Sequence, residues 1–160
     1  MLARCRSRSD ALWPVARPAH LTASAFVVDA DGGSTLLTLH RKLGRWLQLG
    51  GHCDGDGDLA RGALREATEE SGIAGLTCYP QIVDLDIQTI PGRDEPPHLH
   101  LDVRFLIVAP RGARPIVSEE SIELRWFSVA ELESLHLDDG LRRLAARCFR
   151  SGARRAAGTS

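Results

Sequence analysis

The sequence predicts one domain of mixed α and β structure, and three observations predict it. Short runs rich in β-branched and aliphatic residues alternate with turn signals. The segment 60–71 is built from good helix formers between a capping aspartate and a glycine. The chain of 160 residues is 43% hydrophobic with a formal net charge of −1, which is enough apolar material for a proper core without staples. The expected organisation is an N-terminal strap over 1–18, a main domain over 19–150 and a flexible tail over 151–160.

Each element follows from its residues. The Arg- and Pro-containing start has a short apolar patch at Leu12 and Trp13, suited to docking as a helical turn or strap. A β-rich run from Leu21 to Val28 ends in the turn signal Asp29–Ser34 and resumes at Leu36–Leu39, which reads as a hairpin. Gly44–Leu49 reads as a short strand leading into a turn at Gly50-Gly51. The helix over Ala60–Ser71 has Asp58 as N-cap, and Gly72 stands where a left-handed C-cap is wanted. Thr77–Thr89 and His98–Ala109 read as a pair of longer strands separated by the breaker-rich Pro91–Pro97. A last strand covers Ile122–Phe127, and Ser128 caps a short helix over Val129–Leu135. Asp138 or Asp139 opens a final helix with Leu141, Leu144, Ala145 and Cys148 at helical spacing. Residues 151–160 carry no core stripe and read as a frayed tail.

Composition narrows the class. A near-balance of 20 basic and 21 acidic residues argues against a long nucleic-acid partner held by bulk charge. Cys5, Cys53, Cys78 and Cys148 show no C-x-x-C spacing, so neither a zinc ribbon nor a disulfide framework is expected, and a reducing cytoplasm suits them. No run approaches a membrane span, and the Arg-rich N-terminus lacks an apolar export segment, so neither a membrane nor export is expected.

Most of the functional information lies in Gly51–Ile73, GHCDGDGDLARGALREATEESGI. Glu66, Glu69 and Glu70 fall at i, i+3 and i+4 and meet on one side of the helix, whereas Ala60, Ala63, Leu64, Ala67 and Ser71 form a small-residue stripe on the other. Three like charges at this spacing repel by about 0.2–0.5 kcal/mol per pair when solvated. A bound Mg²⁺ or Mn²⁺ removes that penalty, because such hard cations take carboxylate oxygens and complete their octahedron with water and phosphate oxygens. Arg65, four residues before Glu69, is placed to hold that carboxylate in position. Read without its lead-in, REATEE also describes a solvated helix with an Arg65–Glu69 pair. The glycine-rich approach favours the ion. A calcium loop starting at Asp54, Asp56 and Asp58 fails, because its sixth position would be Leu59 rather than Gly and its twelfth Arg65 rather than Glu. These aspartates are expected to serve as loop, turn and capping residues.

This segment resembles the signature of the Nudix hydrolases (MutT-like), G-x5-E-x7-R-E-U-x-E-E-x-G-U, where U is a bulky aliphatic. Gly51, Arg65, Glu66, Glu69, Glu70, Gly72 and Ile73 fall in register. Two positions depart: Gly57, flanked by Asp56 and Asp58, stands where the signature has a glutamate that supports the loop, and Ala67 stands at the aliphatic position. The resemblance implies an α/β/α sandwich with a mixed β-sheet and metal-dependent hydrolysis of a diphosphate linkage. It also implies that the Gly50 carbonyl joins Glu66, Glu69 and Glu70 around the metal. A further carboxylate is implied just before the last strand, where Glu119 and Glu120 stand; Glu120 is the one expected to take part.

Other candidates are read from pattern. In His98–Phe105 the alternation puts His98, His100, Asp102 and Arg104 on one face and Leu99, Leu101, Val103 and Phe105 on the core face. The polar face suits contact with a phosphate or sugar, or is a solvated sheet face with an Asp102 pair to Arg104 or His100. A zinc site at His98-x-His100 lacks a third ligand nearby in sequence. Arg41, with Lys42 and Arg45, is a candidate for meeting substrate phosphates, although basic residues on a hairpin are usually surface residues. Trp46 reads as a core or wall residue.

The leading expectation is a Mg²⁺-dependent pyrophosphohydrolase acting on a small nucleoside diphosphate derivative. Glu66 is expected as base or as shared base and ligand, with Glu120 as the outside candidate. A catalytically idle binding module of the same fold is the alternative, and Gly57 is its best support. Isomerase chemistry on a diphosphate ester would need further acid and thiol groups; Cys53 alone reads as buried filler. The substrate and the oligomeric state, a homodimer among the options, are not legible.

Overall fold

The structure, a computed structural model, describes residues 9–16, 18–91, 96–119 and 121–157. Among these, a turn of 3-10 helix at Ser9–Leu12 precedes strands β1 (Ala19–Val28), β2 (Ser34–His40), β3 (Trp46–Leu47) and β4 (Leu49–His52). Helix α1 (Leu59–Ser71) follows, then β5 (Thr77–Ile90), β6 (His98–Val108), β7 (Ser121–Ser128), and helices α2 (Val129–Ser134) and α3 (Asp139–Ala157).

The strands form one mixed sheet in the order β3-β2-β1-β6-β5, with β4 also paired to β1 and β7 to β2. β1 and β6 run parallel, with His20 opposite His100 and Ser24 opposite Arg104. The other described pairings are antiparallel. The edge of β1 away from β6 is shared between two partners: Thr22–Ala25 pair with β4, whereas Val27 and Val28 pair with β2. Gly50 and Gly51 are therefore set beside Ser24 and Ala23 in the sheet itself, as part of a strand where a turn is expected from sequence. The pairing with β1 holds them extended.

Two apolar layers flank the sheet, which makes the expected α/β/α sandwich. On one face Ala63 and Ala67 of α1 pack with Ala23, Ala25, Leu49, Val103 and Phe105. Small side chains allow this closeness: a Cβ on Gly62 would lie 3.7 Å from Ala23 Cβ. On the other face Leu132, Leu141, Leu144 and Cys148 cover Phe26, Leu37, Leu106 and Phe127. The helix ends are closed as the sequence predicts. Asp58 accepts the Arg61 N–H at 3.1 Å, Gly72 adopts φ 65° while its N–H donates to the Thr68 carbonyl, and Ser128 with Glu131 makes a reciprocal capping box.

Two expectations change. α3 continues as helix to Ala157, through part of the stretch read as a tail, in keeping with its alanines and arginines. The polar face of β6 is not solvated along its length. β6 lies between β1 and β5, and α3 crosses that face, so Asp102 is 2% and Arg104 1% exposed. Their charges are matched instead by Asp84, Asp86, Arg143 and Arg147. The strap is described only in part, since residues 1–8 and 17 lie outside the described residues, as do 92–95 of the loop before β6.

Candidate active site

α1 brings its glutamates to β4 through two glycines. Gly51 faces α1, and a Cβ there would lie 2.7 Å from Glu66 Cδ and closer still to Glu66 Oε2. Gly50 faces the other way at φ 142°, where a Cβ would come within 2.6 Å of the Ala23 carbonyl and Ser24 Cα. Only a residue without Cβ fits at Gly50, where main-chain atoms stand in the way, whereas a Cβ at Gly51 would displace the Glu66 carboxylate. The Gly50 N–H donates to Glu70 Oε2 at 3.2 Å. Two of the three glutamates thus press on the backbone of one dipeptide.

Arg65 organises the rest. Its guanidinium is 2.7 Å from Glu66 Oε1 and 3.2 Å from Glu69 Oε2, donates to the His52 carbonyl at 2.9 Å, and reaches Asp54 at 3.5 Å. Glu66 is the more enclosed carboxylate, with 15% side-chain exposure against 59% for Glu69. Burial raises the pKa of Glu66 above the ordinary carboxylate value, the nearby Arg65 charge lowers it, and Glu69 raises it again. The three glutamates do not converge on one point. Glu66 and Glu69 share Arg65, Glu70 is taken by Gly50, and among the described residues the trio whose donor atoms all lie within 4.8 Å of one another is His20, His98 and His100.

The loop before α1 is braced without a glutamate at 57. Leu12 O accepts the Gly55 N–H at 3.1 Å, and the Trp13 ring lies on Gly55 so closely that a Cβ would overlap it. Asp56 accepts the Asp58 N–H at 2.9 Å and is held by Arg61 at 2.8 Å through two bonds. A Cβ on Gly57 would meet nothing nearer than Leu12 Cδ1 at 4.0 Å. The three aspartates serve as turn, ion-pair and cap residues, and the strap supplies support that the signature assigns to a side chain within the loop.

A hard divalent cation suits this donor set. The glutamates offer carboxylate oxygens, and the missing Cβ of Gly51 admits the Glu66 carboxylate against β4. Gly50, Glu66, Glu69 and Glu70 are the residues that would hold it.

The remaining candidates are dispersed. Arg41 donates to the Glu119 and Ser121 carbonyls at 2.9 Å and so anchors the segment before β7. Glu120 lies outside the described residues. Arg104 sits 2.7 Å from Asp102, 2.8 Å from Asp86 and 3.5 Å from Asp84, enclosed with them under α3. That corrects its reading as a substrate contact, because its donors are occupied and buried. Trp46 packs edge-on against Phe127 with centroids 4.7 Å apart, a wall residue as expected. His98 and His100 lie near one another, joined by His20 from β1 and His52 from β4. Pattern reading passes over those last two because each is a lone histidine far from β6 in sequence. Strand register alone makes them neighbours.

A mixed sheet between two helical layers thus carries a glutamate-bearing helix docked on a paired Gly-Gly strand. The NUDIX domain family matches residues 18–148, and the chain belongs to that family. Among solved structures it is similar to a NUDIX family hydrolase from Clostridium perfringens, 27% identical with a TM-score of 0.60, covering 81% of this chain and 95% of that one. It also resembles a C. elegans Ap4A hydrolase in a binary complex, at 17% identity, TM-score 0.65 and coverage of 86% and 98%. A third likeness is to an ADP-ribose pyrophosphatase from Streptococcus suis, at 22% identity, TM-score 0.59 and coverage of 82% and 90%. No curated protein matches the chain.

Proposed function

We propose that this protein is a Mg²⁺- or Mn²⁺-dependent pyrophosphohydrolase that splits the P–O–P link of a nucleoside diphosphate derivative by attack of water on phosphorus. The observation that carries it is the close fit of Gly51 under the Glu66 carboxylate, with Glu70 on the Gly50 N–H. A surface helix whose glutamates were merely solvated would not need a strand residue stripped of its Cβ beneath them. The similarity to an Ap4A hydrolase and an ADP-ribose pyrophosphatase supports the substrate class, since one name describes a dinucleoside polyphosphate and the other a nucleoside diphosphate sugar, and both contain a P–O–P link.

When bound, the cation would neutralise diphosphate charge and make its coordinated water more acidic. The chain's own residues do the rest. Gly50, Glu66, Glu69 and Glu70 position the oxygen donors, and Arg65 keeps Glu66 and Glu69 from swinging into solvent. Glu66, more enclosed than Glu69 and set against the backbone of Gly51, is the carboxylate proposed to take the water's proton.

The test is Glu69→Gln and Glu70→Gln, assayed by phosphate release over a panel of nucleoside diphosphate sugars, dinucleoside polyphosphates and oxidised nucleoside triphosphates, with and without Mg²⁺. Each variant is expected to lose on the order of 10²-fold or more in kcat/KM with unchanged thermal unfolding. Undiminished release by both would overturn the assignment. No wild-type turnover on any compound, together with ligand-induced thermal stabilisation, would mark a binding module instead.

A further inference from the structure

The sheet face turned away from α1 begins with a group of imidazoles that the glutamate site does not use. His20 of β1 stands directly opposite His100 of β6, and His98 is two residues earlier on the same side of β6. Ring centroids are 4.6 Å apart for His20 and His100, 5.1 Å for His20 and His98, and 5.2 Å for His98 and His100. One ring nitrogen from each lies within 4.8 Å of the other two. His20 is 1% exposed, whereas His98 and His100 are only partly buried, so solvent reaches the group from the β6 side.

We propose that His20, His98 and His100 form a site for a divalent transition metal of the zinc type, separate from the oxygen-donor site on α1. Imidazole nitrogen suits Zn²⁺, Co²⁺, Ni²⁺ and Cu²⁺, whereas Mg²⁺ and Ca²⁺ take oxygen, so the two sites sort ions by donor chemistry. A tetrahedral zinc with bonds of about 2.0–2.1 Å sets its nitrogens about 3.3 Å apart. From separations of up to 4.8 Å the ring nitrogens need to close in by at most about 1.5 Å, through side-chain rotation at the two partly exposed histidines. The Nδ1 of His98 lies 3.1 Å from the Pro96 carbonyl, which can only accept, so in the neutral ring this bond puts the hydrogen on Nδ1 and the lone pair on Nε2, the nitrogen left for a metal.

The backbone supports the same reading. All three histidines stand on paired strands, so their Cα positions are held by the sheet rather than by a loop. Three protein nitrogens leave a fourth coordination position on the solvent side. The His52 ring is beside it, 5.2 Å from His20 and 5.5 Å from His100. His52 also offers its carbonyl to Arg65, so this residue touches both sites.

The experiment uses the full chain without an affinity tag, stripped of metal by chelation and titrated with Co²⁺ in excess Mg²⁺. The expected result is one equivalent of Co²⁺ giving the intense visible bands of a four-coordinate, nitrogen-ligated ion, displaced by Zn²⁺ and indifferent to Mg²⁺. His98→Ala and His100→Gln should each weaken binding at least tenfold, while Glu69→Gln/Glu70→Gln leaves the spectrum in place. Unfolding curves of the metal-free variants that match wild type show that lost binding is not lost fold, and His98 at the strand start is the safer of the two. The proposal is overturned if no four-coordinate spectrum develops, which would leave a packed group of imidazoles. It is also overturned if bound cobalt survives both histidine substitutions.

Discussion

Gly51→Ala puts the site geometry to its sharpest test. The new methyl would begin 2.7 Å from Glu66 Cδ and 3.2 Å from Oε1, against a comfortable carbon–carbon separation of about 3.5–4.0 Å. The carboxylate must retreat by about 1 Å. A displacement of that size in a catalytic group costs about 10²-fold in rate, or about 2.7 kcal/mol of barrier. Stability should hardly move, because the obstructing atoms are the far end of a flexible side chain and Gly51 is not in the left-handed region. Alanine's lower unfolded-state entropy recovers about 0.4–1 kcal/mol. Gly50→Ala is the contrasting case: at φ 142° its Cβ would press on main-chain atoms of Ala23 and Ser24, so the fold itself should lose about 1–3 kcal/mol from strain before any clash is added. Mg²⁺-dependent phosphate release and thermal unfolding, measured side by side on the two variants, separate these effects. The reasoning is refuted if Gly51→Ala retains full kcat/KM, or if it destabilises the protein as much as Gly50→Ala.

Other expectations concern the opposite face and the thiols. Arg104→Met should cost about 3–5 kcal/mol in denaturant unfolding, since Arg143 and Arg147 still serve Asp84 and Asp86 while the buried Asp102 loses its guanidinium; a loss below about 1 kcal/mol would mean that the network is not closed in solution. Asp86 is pushed up by burial but pulled down further by Arg104 and Arg143, so its net pKa is depressed. Its contribution is therefore present above the ordinary aspartate value of about 4 and fades as pH falls through the lower folded value. Asp86→Asn should destabilise at neutral pH, with the difference from wild type shrinking in that acid window; a pH-independent difference would contradict this. Burial pushes the Cys53 and Cys148 thiols up to about 12, so both should resist a thiol reagent at pH 8 until the chain is unfolded, and rapid native labelling of either would show that its burial is wrong.

Local chemistry was legible wherever neighbours in sequence are neighbours in space. A helix between Asp58 and Gly72, a cap at Ser128 and an Arg65–Glu69 pair each depend on residues three to fourteen apart, and all are present. The same locality brought out the glutamates of the signature and the family itself. It failed for β6. Alternation there is read as one core face and one wet face, but a strand paired on both sides and covered by helices on both faces buries its charges too, and nothing within His98–Phe105 records that α3 lies above Arg104.

By itself, the sequence determined the helix that bears the carboxylates, its caps, the glycine pair before it and the kind of ion those oxygens suit, because each rests on spacing along one continuous segment. Only the tertiary structure decided that Gly51 makes room for Glu66, that the strap braces the loop in place of a residue at 57, and that His20 meets His98 and His100. Those are contacts between strands and segments far apart in the chain. Sheet order and register set them, and no short pattern of residues encodes either.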